Sequence, residues 1–434
     1  MTPITQQLDL SPDVLGLARR LAPSRGLVVL WSADGSGPSY VACQPIATSQ
    51  QLDPEPTLGI GAVPNSSAPP EAWSFPRWIG VLPYEAFRDV ERPGRAVRAD
   101  PRVAPPHLHP IWFRYGAVLR VDHQVTALGE TRAAVDALVN RLTAPSRPVG
   151  SLRLQRLDSV ADEAHAQRII RAQQLILDGD LYLVNLARRL SFAVQGDEIE
   201  LLRRMAEQSQ PPFGAYLHLG ETRVCSTSPE LFLKLSGDRS LLTSPIKGTR
   251  PRDRDTTRDQ ALAQQLASDA KEQAELAMVI DVERNDLGRV AEVGSVQLSG
   301  APRVVPYGGV WHRVADVTAR LDLRQDRQTL LKAMAPSGSV TGAPKVRAME
   351  VIAELEAARR GLYTGAIGYL GHDGGLLLSM AIRTLVLQST GASTGTEASY
   401  FSGGGIVLDS DPQLELEETE WKARQLLALC GAEP

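Results

Sequence analysis

The chain predicts an α+β fold, with large antiparallel β-sheets packed against helices. Three observations carry this reading. Strand-like and helix-like segments are mixed without a strict βα repeat. Short apolar and alternating runs recur beside long stretches of helical periodicity. No internal repeat and no coiled-coil heptad points to a solenoid or a fibre.

Taken in order, residues 27–31 (LVVLW) and 117–121 (AVLRV) read as strands. Between them, residues 50–76 contain Asp53-Pro54-Glu55-Pro56 and Pro64-Asn65-Ser66-Ser67 and read as a loop. The Pro-rich run 144–148 marks a boundary between an N-terminal region, 1–155, and a second region, 156–434. Residues 161–177 have helical periodicity through Ala164, Ile169, Ile170, Leu175 and Ile176, and stop at Gly179. Residues 213–219 and 231–235 alternate as strands do. Residues 256–282 run without Gly or Pro and read as one long helix. Another helix is expected over 344–360, ending at Gly361, with strands at 363–370 and 376–387 and a last helix over 412–429.

The 434 residues are enough for one large domain or two to three ordinary ones, and 43% hydrophobic with 22% charged residues is an ordinary globular balance. A net charge of −4 and a pI near 6.0 argue against nucleic acid as a partner. Cys43, Cys225 and Cys430 are odd in number, far apart and form no CxxC pair, which argues against a disulfide framework or a structural zinc site and fits a reducing compartment. Residues 1–15 lack a basic segment followed by a long apolar one, and no stretch approaches the ~18 uncharged apolar residues of a membrane span. A cytoplasmic protein with no membrane partner is expected.

Four constellations can carry chemistry. Glu272 with Glu275, and Glu415 with Glu418, are spaced three apart on predicted helices, so each pair shares a face. Two such pairs opposed would repel unless a cation lay between them, and oxygen ligands favour Mg²⁺. The same spacing is also commonplace on a solvated face. Lys247 (SPIKGT) and Glu230 (TSPE) flank strand-like sequence that a hairpin can bring together. A lysine sheltered beside a carboxylate can act as a nucleophile; an ordinary ion pair is the alternative. Gly403, Gly404 and Gly405 allow backbone N–H groups to approach an anion, and residues 337–345 (SGSVTGAPK) open a helix. Turns use the same residues, and GxxxxGK[ST] is absent. His312 stands alone after Trp311, a catalytic candidate or a packed side chain.

These runs follow one another in a recognisable series. It begins with Gly179-Asp180 before Val184-Asn185-Leu186, then Ser228-Pro229-Glu230 and Pro245-Ile246-Lys247-Gly248-Thr249. It continues through Ala274-Glu275, Asp281 with Arg284-Asn285-Asp286, residues 338–345 and Tyr363-Thr364-Gly365. It closes with Ile382-Arg383-Thr384 and Gly405-Ile406-Val407 before Asp409-Ser410-Asp411-Pro412. Over residues 160–430 the chain resembles the chorismate-utilising enzymes. Leu30-Trp31-Ser32, Gly80 and Tyr84-Glu85 carry a weaker resemblance to the N-terminal part of the ammonia-using members. The resemblance implies the fold of the anthranilate synthase large subunit. It also implies Mg²⁺ held by Glu275 and Glu418, with Glu272 and Glu415 near it.

By the same resemblance Glu230 is a proton-shuttling acid and His312 lies near a departing hydroxyl. Thr341, Tyr363, Arg383, Lys422 and the backbone of Gly403, Gly404 and Gly405 contact substrate. Lysine at position 247 is typical of members that place nitrogen at C4 of chorismate, for 4-aminobenzoate and folate; alanine is typical of those that make anthranilate. The expected activity is amination of chorismate to 4-amino-4-deoxychorismate, with ammonia from a separate glutamine amidotransferase subunit. Anthranilate formation and a non-catalytic ligand-binding role are the alternatives. Leu183 departs from the family's usual glutamine or lysine and argues against water addition. Ala315, Ser379 and Met380 depart as well. Some members bind tryptophan in the N-terminal region; Ser32 and residues 211–213 match that pattern, whereas Trp31 replaces its usual glutamate.

Overall fold

The structure, a computed structural model, describes residues 2–431 apart from 62–72, 88–99, 101, 103, 104, 106–108, 159–161, 308 and 390–395. The centre of the loop read at 50–76, and residue 161 at the start of one predicted helix, lie outside the described residues.

Among those residues, two large sheets and one small one hold the fold together, and every strand pairing is antiparallel. The larger sheet has twelve strands. Its order runs from Ile4–Leu8 through Val125–Gly129, Ala117–Val121, Ser39–Ala42 and Val28–Trp31 to Phe213–Leu219, Thr222–Ser228, Thr384–Ser389, Thr396–Ile406, Leu183–Gly196 and Gly342–Ala343, with Leu152–Arg156 paired beside Leu183–Gly196. The second sheet, of nine strands, places Leu231–Leu235, Leu376–Met380, Ala366–Gly371 and Pro76–Leu82 side by side. Each sheet therefore joins a block of strands from residues 1–155 edge to edge with a block from residues 156–434, Val28–Trp31 meeting Phe213–Leu219 in one and Pro76–Leu82 meeting Ala366–Gly371 in the other.

Strand alternation explains the layering. Val28, Tyr40 and Ala42 of the larger sheet bury against Phe75, Ile79, Val81 and Ile367 of the second. Their chain neighbours Val29, Val41 and Cys43 point the other way, onto Leu17, Leu21, Val135 and Leu138 of the helices Val14–Leu21 and Arg132–Arg141. The far face of the second sheet, through Leu233, Leu235 and Leu378, packs on Leu276, Ile280, Leu330 and Leu331 of the helices Ala270–Gly288 and Arg327–Met334. The order of layers is helix, sheet, sheet, helix, an α+β arrangement as expected.

Three elements differ from the sequence reading. Residues 256–282 are not one helix: Thr256–Ser268 ends at Asp269, which is extended and accepts hydrogen bonds from the N–H groups of Lys271 (3.0 Å) and Glu272 (3.2 Å). An aspartate that caps this well starts a new helix without Gly or Pro. The helix expected over 344–360 spans Lys345–Leu355, and Glu356 leaves it to accept from Ala187 N–H (2.9 Å) and pair with buried Arg360 (2.7 Å). The run 376–387 is two strands in different sheets, Leu376–Met380 and Thr384–Ser389, and Arg383 turns between them at φ +50°.

Candidate active site

The hairpin expected between Glu230 and Lys247 forms: Leu231 pairs with Ser244, and the Ile246 backbone N–H donates to the Glu230 carboxylate. The chain then enters a three-stranded sheet of Ile246–Pro251, Val310–Val314 and Arg303–Tyr307. A bulge between Lys247 and Thr249, with Gly248 at φ +79°, re-aims this strand, so residues 247 to 250 all face one cavity.

That cavity, of about 420 Å³, is lined by Glu230, Lys247, Glu272, Glu275, His312, Tyr363, Arg383, Gly403, Gly405, Glu415, Glu418 and Lys422. Twelve of the fourteen residues singled out from the sequence thus meet at one place. Thr341 lies behind the wall, fully buried, its hydroxyl donating to Ser337 O at 2.7 Å. Gly404 is also outside the lining, but a Cβ there would stand 2.8 Å from Glu415 Oε2, so its hydrogen side chain leaves that carboxylate its room. Lys247 is placed by Gly405: a Cβ built on Gly405 would lie 3.5 Å from each of Lys247 Nζ, Glu275 Oε2 and Leu183 Cδ1.

The acidic groups are crowded. Burial raises the Glu275 carboxyl above its ordinary range, and the charges of Glu272 and Glu415 add to the rise. Burial and Glu418 do the same to Glu415. Glu418, whose side chain is 47% exposed, is held low by Lys422, whose ammonium lies at 2.7 Å. Among the described residues no three His, Cys, Asp or Glu side chains converge as a ready metal site. The ammonium of Lys271 instead stands among these groups, 3.7 Å from Glu415 Oε1 and 4.0 Å from Glu275 Oε1. Carboxylate oxygens that repel one another and gather round a cation are the donor set a hard divalent ion fits.

On the other side Glu230 is 4% exposed; burial pushes its carboxyl up to about 7, and Ser339 Oγ donates to it at 2.8 Å. Burial and the Arg383 charge keep His312 well below its usual value, hence neutral. Arginine only donates, so His312 Nε2 accepts from Arg383 Nη2 (3.1 Å), leaving Nδ1 as the protonated nitrogen facing Thr249 Oγ1 at 3.1 Å. No carboxylate among the described residues pairs with Arg383, so its fork is open to an anion in the cavity. Tyr363 stacks on Phe401, with ring centroids 5.3 Å apart, beside it.

Sequence reasoning missed Ser339, Lys271 and Asn185 as lining residues. Asn185 pairs with Gly405 across two strands, and its carboxamide oxygen is buried without a partner. Its place in the Val184-Asn185-Leu186 run was the available signal. Leu183 borders Gly405 but does not line the cavity. Ala315 and Met380 are core residues behind the site, and Ser379 donates to Ile367 O at 3.1 Å. Far from the cavity, the Ser32 and 211–213 segments are neighbours: Trp31 pairs with Gly214, Ala33 N–H donates to Pro211 O (2.9 Å), and Ser32 Oγ is engaged by Asp34, Ser36 and Gly37.

Gly248 yields a first prediction. At φ +79° any side chain is strained, and a Cβ would come within 2.8 Å of Glu272 Oε2. Gly248→Ala is expected to cost about 1–2 kcal/mol in chemical denaturation, as the new methyl strains the backbone and crowds Glu272.

Residues 35–428 match the family model described as chorismate binding enzyme. Aminodeoxychorismate synthase component 1 from Klebsiella aerogenes is 38% identical over 354 residues, covering 80% of this chain and 73% of its own. Anthranilate synthase component 1 from Synechocystis is 41% identical over 274 residues, covering 62% and 54%. Among solved structures, anthranilate synthase component I from Streptococcus pneumoniae superposes with TM-score 0.71 at 25% identity, covering 98% of this chain and 92% of its own. The menaquinone-specific isochorismate synthase of Escherichia coli shares the fold, with TM-score 0.75 at 19% identity over 98% and 93%. No helix among the described residues is long and apolar enough to cross a membrane. With the family match spanning every lining residue of the cavity, the chain belongs to the chorismate-binding enzymes.

Proposed function

We propose that this enzyme aminates chorismate with ammonia to give 4-amino-4-deoxychorismate, Lys247 serving as a transient nucleophile. The observation that carries the reading is the position of Lys247 Nζ, between Glu275 and Gly405 on one side and in the field of buried Glu230 on the other. A magnesium ion held by Glu275 and Glu418, with Glu272 and Glu415 beside it, would bind the ring carboxylate of the substrate. Arg383, oriented by neutral His312, takes the enolpyruvyl carboxylate beside Tyr363.

The lysine lone pair adds at C2, the ring double bonds shift, and the C4–O bond breaks. Glu230, protonated below about pH 7, gives its proton to the hydroxyl, which leaves as water. Ammonia then adds at C4, the double bonds shift back and the C2–N bond breaks, returning the lysine amine; Glu230 recovers its proton from the new C4 nitrogen. A separate glutaminase would supply the ammonia.

The test is incubation of the purified chain with chorismate, Mg²⁺ and ammonium, with products identified by mass spectrometry. An amino product that keeps the enolpyruvyl group supports the proposal. Anthranilate with pyruvate, the activity named in several relatives, would replace it, and no product with or without a glutaminase would favour a ligand-binding role. Arg383→Lys keeps the charge but loses the planar fork; KM for chorismate is expected to rise about 10- to 100-fold in steady-state kinetics, the equivalent of about 1.5–3 kcal/mol.

A further inference from the structure

The helix Ala270–Gly288 buries Leu276, Val279, Ile280, Glu283, Asp286 and Leu287. Glu283 thus stands in a mainly apolar set, and it is fully buried. A chain of short contacts leads from it to the active site. Glu283 Oε1 lies 2.6 Å from Ser337 Oγ, Ser337 Oγ lies 3.0 Å from Ser339 Oγ, and Ser339 Oγ lies 2.8 Å from Glu230 Oε1.

Three oxygen–oxygen contacts need three protons, and each serine hydroxyl supplies one. The third must come from a carboxyl group. If both carboxyls were ionised, one contact would hold two lone pairs and no proton; if both were protonated, one proton would be surplus. The geometry is complete with a single carboxyl proton between the two glutamates.

We propose that Glu283 shares one proton with Glu230 through the hydroxyls of Ser337 and Ser339, and so acts as a positioning residue for the proton of the active-site acid. Transfer reverses all three hydrogen bonds: Glu283 gives its proton to Ser337 Oγ, Ser337 passes its own to Ser339 Oγ, and Ser339 passes its own to Glu230. No bond to carbon changes and no electron moves. The surroundings fit. Asp286 faces Glu283 and disfavours its ionisation, Lys345 favours it, and Thr243 Oγ1 stands 3.4 Å away; Lys247 and Arg383 face Glu230. Burial lifts both carboxyls to about 7. The role as helper of a catalytic acid rests on the function proposed above: once Glu230 discharges, the pair is left without a proton, and the charge on Glu283 drives Glu230 to take one back from the C4 nitrogen.

Infrared difference spectroscopy on the full chain, without substrate, at neutral pH tests the wire independently of turnover. Glu283→Gln and Glu230→Gln each provide an amide N–H that can complete the count, so each is expected to remove the same single protonated-carboxyl band, and the double variant to remove no more. Loss of a separate band in each variant, or an unchanged acid band in Glu283→Gln, overturns the proposal. In kinetics, Glu283→Gln is expected to lower kcat about tenfold with KM within about twofold, and to shift the alkaline limb of the kcat profile to lower pH. An unmoved limb overturns it as well. Ser337→Ala keeps both carboxyls and breaks the link; two independent titrations in place of one shared proton are expected even if Glu283→Gln does not fold. Should no variant, nor the native chain, turn over chorismate, the functional reading falls while the infrared result still judges the wire.

Discussion

Lys247→Ala is expected to cut formation of 4-amino-4-deoxychorismate at least about 10³-fold, the equivalent of about 4 kcal/mol of barrier. The side chain is half-buried on the rim of a small sheet, so the loss should be chemical rather than structural. The acidic residues of the cavity and Arg383 are untouched, so chorismate should still bind. The vacated space borders Gly405 and Glu275, where ammonia could approach C2 directly. A small anthranilate signal is therefore the expected diversion, read in the same mass spectrum. A variant that keeps full activity with ammonium would remove the covalent lysine from the mechanism.

Glu230→Gln should lower kcat about 10²- to 10⁴-fold while leaving KM nearly unchanged. The amide keeps the shape and donates its N–H to Ser339, completing the hydrogen-bond chain, but it carries no transferable proton. The sign of the pH dependence follows from burial. The native carboxyl is raised to about 7 from 4.5, so the acid form is present below about 7 and lost above it. Native kcat is expected to fall along an alkaline limb near 7, and the variant should lack that limb. Stability has the same direction: the fold holds a proton that the unfolded chain releases near 4.5, so native stability declines as pH rises from about 4.5 to 7. Glu230→Gln should flatten that decline in denaturant titrations at several pH values. A variant with native kcat at pH 6 would show that the proton comes from elsewhere.

Much of the site was legible in the chain because its parts are local. Glu272 and Glu275 share a helix turn, the glycines 403–405 stand together, and the Pro-Ile-Lys-Gly-Thr run carries both the lysine and the glycine of its bulge. What escaped was set by tertiary neighbours. Asn185 matters because Gly405 pairs with it, and Ser339 because it meets a carboxylate more than a hundred residues earlier. Lys271 matters because Glu415, on another helix, comes within 3.7 Å of its ammonium, which already lies 4.0 Å from Glu275. In the fold, boundaries were misjudged where a polar side chain outbid the periodic pattern. Asp269 starts a helix inside an unbroken run, Glu356 ends one early to reach Arg360, and the break at Arg383 carries the chain from one sheet to the other.

The edge-to-edge joining of early and late strands in both sheets has a consequence for how the protein is made. Val29 hydrogen-bonds in register with Tyr216, and Ile79 with Tyr369. Most strands of residues 1–129 pair with one another as they emerge, but one edge of Val28–Trp31 and one edge of Pro76–Leu82 have partners that are made much later. At roughly 5–20 residues per second, the Pro76–Leu82 strand waits on the order of tens of seconds for the Ala366–Gly371 strand that will cover its edge. The two halves of each large sheet thus join late in synthesis, and the two waiting edges of the nascent N-terminal third are natural sites for chaperones that shield unpaired strands.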